Sequence, residues 1–376
     1  MPIEDVIASS KPTASSSPVT AAEIPSSKKG KSKLLFTLLL LVIIGIGAYL
    51  IYFLTTKTPV QNTVIGQAKF CQGVKIAMFV GGNQSNIDPF TNVVYNGAKA
   101  AETMLGANVQ YFWSDWNASK MVEQFQDAMS TSPDVIAMLG HPGADALSSL
   151  IDEAERRGII VTMQNVDIPT IREKYTNNGF GYAGPDLYQA GLTLSNGLIR
   201  KYQPKEGSEV IVFATDKKTD PARYARTQGM IDGLTAGKLV VDEVTLYINM
   251  QKGLKTIDVQ NMFGNAMSKY PRAKFIMIDG AITSVVPLHF KALGKKPGEY
   301  IVAGFDLSSD VVAGIKSGYI GLIEDQQPYL QGFLPILQAC LTKKYGFAGL
   351  YINTGIGLID NSNVDLITNF VKQGIR

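Results

Sequence analysis

Residues 274–332 (KFIMIDGAITSVVPLHFKALGKKPGEYIVAGFDLSSDVVAGIKSGYIGLIEDQQPYLQG) are the stretch that most constrains what this chain can become. Three short apolar runs within it, 275–278, 300–304 and 320–323, read as strands. The segments between them are long enough for a helix. Each strand closes on a carboxylate: Asp279, Asp306, and then Glu324-Asp325 with Gln326 behind them. Strand, carboxylate and helix in repetition describe a parallel α/β sheet with polar groups gathered along one edge. Ligands of such sheets sit at the carboxyl ends of the strands, so the segment is expected to supply half of a binding cleft.

The same rhythm runs through the preceding 200 residues or so. Residues 74–80, 109–113, 135–139, 159–163, 209–214 and 243–249 are expected strands. Residues 93–105, 120–129, 144–157, 187–201, 221–234 and 257–269 are expected helices. In the first of these helices Val93, Val94, Ala98, Ala101 and Leu105 recur at helical spacing until Gly106 stops them, and Asn117 is placed to cap the next. Alternation of this kind implies right-handed crossovers and a parallel sheet. It breaks at Gly184-Pro185 and again at Asp325-Gln326-Gln327-Pro328, and 376 residues exceed one ordinary core. Two α/β units joined at those points are expected.

Ahead of them, residues 1–33 are rich in Ser, Thr, Ala and Pro and lack large apolar side chains, so they read as a disordered tail. Residues 34–54 (LLFTLLLLVIIGIGAYLIYFL) hold no charge and match the ~20 residues of a membrane-spanning helix. Lys28, Lys29, Lys31 and Lys33 precede this run and only Lys57 follows closely, which puts the tail in the cytoplasm and the rest outside. The run is longer than a usual signal-peptide core and no A-x-A site follows it, so it is expected to be a signal anchor. Residues 55–72 then form a stalk.

Composition removes other classes. A net charge of +3 with 18% charged residues makes no case for nucleic acid, and two cysteines with two histidines exclude a Cys/His zinc site or a multi-disulfide scaffold. No metal or cofactor is expected. No G-x-S-x-G elbow, P-loop or G-x-G-x-x-G fingerprint is present, so the chain is not expected to be an enzyme.

An ordered set of pieces resembles a known family: a strand followed by Asp88-Pro89-Phe90, strand 159–163 closing on a polar pair, Arg226-x-x-Gly229, Ile278-Asp279-Gly280, Val302-Ala303-Gly304-Phe305-Asp306, and Gln326-Gln327-Pro328 before Gly332. Over residues 73–375 the chain is similar to the type I periplasmic sugar-binding proteins, the ribose-binding family that serves ABC importers. The resemblance implies an α/β fold of two Rossmann-like lobes with parallel sheets joined by a three-strand hinge. Residues 73–184 plus 328–345 would form the N-terminal lobe, and 185–325 plus 350–376 the C-terminal one. It also implies a monosaccharide ligand, an ABC transporter permease as partner, and hinge closure as mechanism. Phe90 would stack on the sugar ring, Asp279 and Asp306 would accept hydrogen bonds from its hydroxyls, and Gln326 would sit at the hinge edge. The pattern departs at Asn165-Val166, where the ribose type has Asp-Arg, and at His141, which stands in an Asn slot. The ribose-contacting arginine falls at Tyr224 or Arg223. These departures leave the sugar unnamed.

The chemistry of the remaining candidates agrees with a neutral polyol. An aromatic ring suits the C–H face of a pyranose, and carboxylates and amides suit its hydroxyls. Asp88, Trp116, His141 and Asn165 fall at strand ends on one side; Arg223 and Arg226 stand together in the first turns of an expected helix on the other. The bland alternatives are that Asp279 and Asp306 merely cap helices, that His141 shapes a turn, that the arginines pair with the opposite lobe, and that Trp113 is core. Within the family fold Cys71 and Cys340 lie on the same lobe, where an extracellular disulfide is an option. A membrane-tethered receptor for a sugar or autoinducer is the alternative function; a repressor-type regulator and an α/β enzyme are weaker rivals, the first for want of a helix-turn-helix.

Overall fold

A run such as Val135–Leu139 has no polar side chain to turn towards water, and the fold buries all of it. Phe275–Ile278 is treated the same way, as strands flanked by helices on both faces must be. The computed structural model describes residues 45, 69–86, 88–246 and 254–376, of which Ala68–Arg376 cluster as one unit. The expected membrane span at 34–54, the tail and nearly all of the stalk lie outside the described residues. Among the described residues no helix is long and apolar enough to cross a membrane.

In the first lobe, β1 (Lys75–Gly81), β2 (Asn108–Trp113), β3 (Val135–Leu139), β4 (Ile160–Gln164) and β5 (Tyr182–Gly184) alternate with helices. These are α1 (Pro89–Leu105), α2 (Ala118–Ser130), α3 (Gly143–Arg156) and α4 (Pro169–Tyr175). The chain then crosses into the second lobe through α5 (Leu187–Tyr202), β6 (Glu209–Ala214), α6 (Tyr224–Ala236), β7 (Val240–Thr245) and α7 (Ile257–Lys269). That lobe continues with β8 (Phe275–Ile278), α8 (Val286–Ala292), β9 (Ile301–Phe305), α9 (Ser309–Lys316) and β10 (Leu322–Asp325). The chain returns as α10 (Pro328–Tyr345), which packs on α1, and adds β11 (Tyr351–Asn353) to the first sheet. A third crossing leads to β12 (Gly357–Ile359) and α11 (Val364–Lys372).

Each sheet has six strands, in the orders β11-β5-β4-β3-β1-β2 and β12-β10-β9-β8-β6-β7. Every pairing is parallel except β10 with β12. Apolar cores cover both faces of each sheet, and the edge strands β2 and β7 are the least buried. Expected helix 257–269 and strand 209–214 match to the residue, and most other bounds shift by a few positions.

Four differences have physical reasons. The strand expected at 243–249 is β7, Val240–Thr245; its polar Asp242 and Glu243 belong to an edge strand that has a solvent face. The expected helix at 221–234 begins three residues later, because Asp220 and Pro221 form a turn first. Tyr182–Gly184, read as a break in the rhythm, is a short strand. Residues 350–376 were expected wholly in the second lobe, but Tyr351–Asn353 pairs with Tyr182–Gly184 in the first sheet, so only the chain beyond it joins the second.

Candidate functional site

The carboxyl ends of the two sheets face a common cleft of about 650 Å³. All ten candidate ligand residues line it: Asp88, Phe90, Trp116, His141 and Asn165 from the first lobe, Arg223, Arg226, Asp279 and Asp306 from the second, and Gln326 at the crossing after β10.

One wall is aromatic. Asp88 caps α1 by accepting from Thr91 N at 2.9 Å, and its second oxygen accepts from Trp116 Nε1 at 2.9 Å. Capping and orienting the indole are thus one job for one carboxylate. The ring of Trp116 lies over Gly81, where a Cβ would come within 2.6 Å of it, so only glycine lets the indole settle there. Phe90 and Trp116 have centroids 5.8 Å apart, and the His141 ring stands edge-on to Trp116 with centroids 5.5 Å apart. Trp113 packs against Tyr95 and belongs to the core.

The opposite wall separates the two arginines. Arg226 is buried: its Nε donates to Asp279 Oδ1 at 2.6 Å and its guanidinium lies 4.1 Å from the centroid of Phe305. Asp279 Oδ2 takes Thr215 Oγ1 at 2.8 Å and Thr227 Oγ1 at 2.5 Å. Burial works against its charge, but Arg226 and Arg223 together hold the carboxyl below its ordinary value. Asp279 is therefore saturated by protein donors and acts by fixing Arg226. Arg223 reaches Asp279 only at long range, Nη2 to Asp279 O at 3.4 Å and to Oδ1 at 3.9 Å, and its partly exposed side chain lines the cleft.

Neither Asp279 nor Asp306 is a helix cap; Ser308 caps α9. Asp306 Oδ1 accepts from Gln326 Nε2, while among the described residues Oδ2 accepts nothing. Asn165, Trp116 and Asp306 all have positive φ, at 62°, 55° and 68°. Outliers of that kind collect where a side chain must be aimed against the backbone's preference. His141 is spent on protein partners, with Nδ1 2.9 Å from Asp220 Oδ2 and Nε2 2.9 Å from Asn165 Oδ1. Behind Arg226, Glu324 is buried and, among the described residues, neither of its oxygens has a hydrogen-bond partner. Burial pushes its carboxyl well above the ordinary range, with Arg226 pulling the other way.

Sequence reasoning passed over Thr215 and Thr227, which complete the Asp279 site, and Gln331, which holds Asn165 Nδ2 at 3.1 Å. It also passed over Asp220, although Asp220-Pro221 at the start of an expected helix was a usable signal. Cys71 and Cys340 form a disulfide with Cα atoms 5.4 Å apart, in the first-lobe core and away from the cleft.

Comparison with known proteins adds three findings. Residues 78–342 match the periplasmic binding protein domain family. The chain is 28% identical over 300 residues to the xylose/arabinose-binding protein XylF of Sulfolobus acidocaldarius, covering 75% of this chain and 70% of that one. Two solved structures share the fold. A carbohydrate transporter from Acidothermus cellulolyticus 11B in complex with myo-inositol superposes with TM-score 0.67 at 22% identity, over 81% of this chain and 99% of the other. An ABC transporter solute-binding protein from Burkholderia graminis C4D1M in complex with D-arabinose gives 0.66 at 21%, over 78% and 97%.

Proposed function

Because the chain belongs to the periplasmic binding protein domain family, we propose that it is a solute receptor that captures a monosaccharide outside the cell and delivers it to an ABC importer. The observation that carries this reading is the chemistry of the cleft. Phe90 and Trp116 offer flat apolar surface, while Asp306 Oδ2, unpartnered among the described residues, and the weakly engaged guanidinium of Arg223 offer an acceptor and donors. An aldose fits that combination, with C–H groups against the rings and hydroxyls against the carboxylate and guanidinium. Of the named ligands of the relatives, xylose and arabinose are aldoses, and myo-inositol is a ring polyol with the same C–H faces and rim of hydroxyls.

Capture would proceed by rotation of the lobes about the three crossings, burying the sugar and presenting a closed shape to the permease. Nothing in this requires bond chemistry. Asp306 would take a sugar hydroxyl, Arg223 would donate to a neighbouring one, and Asp279 would act by holding Arg226 behind Phe305. The charge-free run at 34–54 would tether the receptor to the cell membrane with its lobes outside, keeping a diffusible binder near its transporter.

The test is thermal melting of the full chain against a panel of aldoses and polyols, since a ligand bound by the folded state alone raises the midpoint by mass action. A rise with one or a few sugars, lost in Asp306→Ala, is the expected result. No rise with any sugar would reject the reading.

A further inference from the structure

His141 and Asp220 belong to opposite lobes, and their hydrogen bond spans the cleft. The hydrogen-bond chain around them fixes the protonation state of the ring without appeal to any titration. Gln326 Nε2 donates to the carboxylate of Asp306, which leaves Gln326 Oε1 facing Asn165. Gln331 Nε2 donates to the backbone carbonyl of Gln326 at 2.8 Å, which leaves Gln331 Oε1 facing Asn165 as well. Two acceptors require Asn165 to turn its amide nitrogen towards them, so its oxygen faces His141 Nε2. On the other side of the ring, Nδ1 faces a carboxylate. An imidazole between two acceptors donates from both nitrogens only when it carries both protons.

We propose that His141 is a proton-operated clasp between the lobes: the imidazolium bridges Asn165 of the first lobe to Asp220 of the second, and its formation closes the cleft. The charged groups around the ring are few. Asp220 and Arg223 come from the segment entering α6, Arg223 N donating to Asp220 Oδ1 at 3.0 Å. Asp88 stands across Trp116, and Asp306 behind Gln326. Burial opposes the charge of Asp220, yet His141 and Arg223 draw its carboxyl below the ordinary value.

The sign follows. Closure supplies a second acceptor to the protonated ring and a repulsive lone pair to the neutral one, so the closed form holds more protons. Closing is thus favoured as pH falls through the histidine range, until Asp220 itself is protonated in strong acid. Neutral ring forms must give up one bridge. The bearing of the clasp on sugar capture rests on the receptor reading above; the closure equilibrium does not.

The experiment measures the distance between the lobes in the full chain, with spin labels on Gln84→Cys and Lys218→Cys, exposed positions in the loops after β1 of the first lobe and β6 of the second. The native disulfide stays oxidised. Between about pH 8 and about pH 5.5 the ratio of closed to open distances should rise roughly three- to tenfold without sugar, one unit of differential proton affinity being worth tenfold. In His141→Gln and in Asp220→Asn that rise should vanish while both distances remain populated. A ratio indifferent to pH in the parent, or the same rise in both variants, would overturn the clasp. Sugar affinity measured on the same samples reads the receptor proposal separately. pH-driven closure with no sugar bound at any pH would uphold the clasp and sink that proposal.

Discussion

Three residues donate to the Asp279 carboxylate, Thr215, Thr227 and Arg226, and the one that matters most is Arg226, which is buried with it. Asp279→Asn keeps the volume and removes the charge, leaving a guanidinium uncompensated inside the second lobe. Breaking a buried pair in this way costs about 3–5 kcal/mol, to be read as a lower urea midpoint. The pH dependence has a fixed sign. The folded carboxyl is held below its unfolded value, so its contribution is present above about pH 3.9 and lost as pH falls further. The parent should therefore lose more stability than Asp279→Asn on acidification below that point, and equal losses would remove Asp279 from the account. At this scale the positions of the cleft residues were legible, because a carboxylate after an apolar strand of a parallel sheet has one place to go. Their roles were not. Whether an oxygen faces ligand or protein depends on Thr215 and Thr227, whose places are set by β6 and α6, and no local pattern announces them.

Between elements, the contacts that hold the lobes' helices are backbone contacts. A Cβ on Gly332 of α10 would lie 1.9 Å from the carbonyl of Val94 in α1, and one on Gly229 of α6 would lie 2.1 Å from that of Tyr188 in α5. Two of the glycines that carried the family resemblance, Gly229 and Gly332, are thus points where paired helices touch. β10 shows the opposite economy. It brings Glu324 into the interior with neither oxygen partnered among the described residues, and the folded carboxyl is raised far above its unfolded value. Its contribution is whole below about pH 4.3 and declines as pH rises from there towards the folded value. Glu324→Gln has no proton to release. The variant should match the parent near pH 4 and become progressively more stable than it towards pH 8, checked by melting midpoints across that range. Parallel curves would show that Glu324 is already ionised in the folded chain. The longer strands were readable from alternation alone, whereas β5, β11 and β12 were not. Strands of three residues carry too little periodicity to register.

Across the whole molecule, the disulfide joins residues 269 positions apart, and the chain between them passes through the first lobe, all of β6 to β10 in the second, and back. Both cysteines sit in the core formed by β1, α1 and α10, so the bridge staples the two separated pieces of the first lobe. The second lobe is mostly one continuous stretch and needs no such staple. Long loops lose the most freedom when closed, and a chain-entropy argument gives about 5–6 kcal/mol for a loop of this class. Reduction, or Cys71→Ser, should lower the calorimetric transition of the first lobe by that order. If the lobes melt separately, the second transition should stay where it is. Neither cysteine lines the cleft, so ligand affinity well below the melting point should be unchanged. The two readouts together discriminate. A lower melting point with intact binding marks a staple acting on the unfolded chain, whereas loss of binding in the cold would mean that the bridge also sets how α10 presents Gln331 to the site. An unchanged melting point would mean that α10 stays docked on α1 through packing alone.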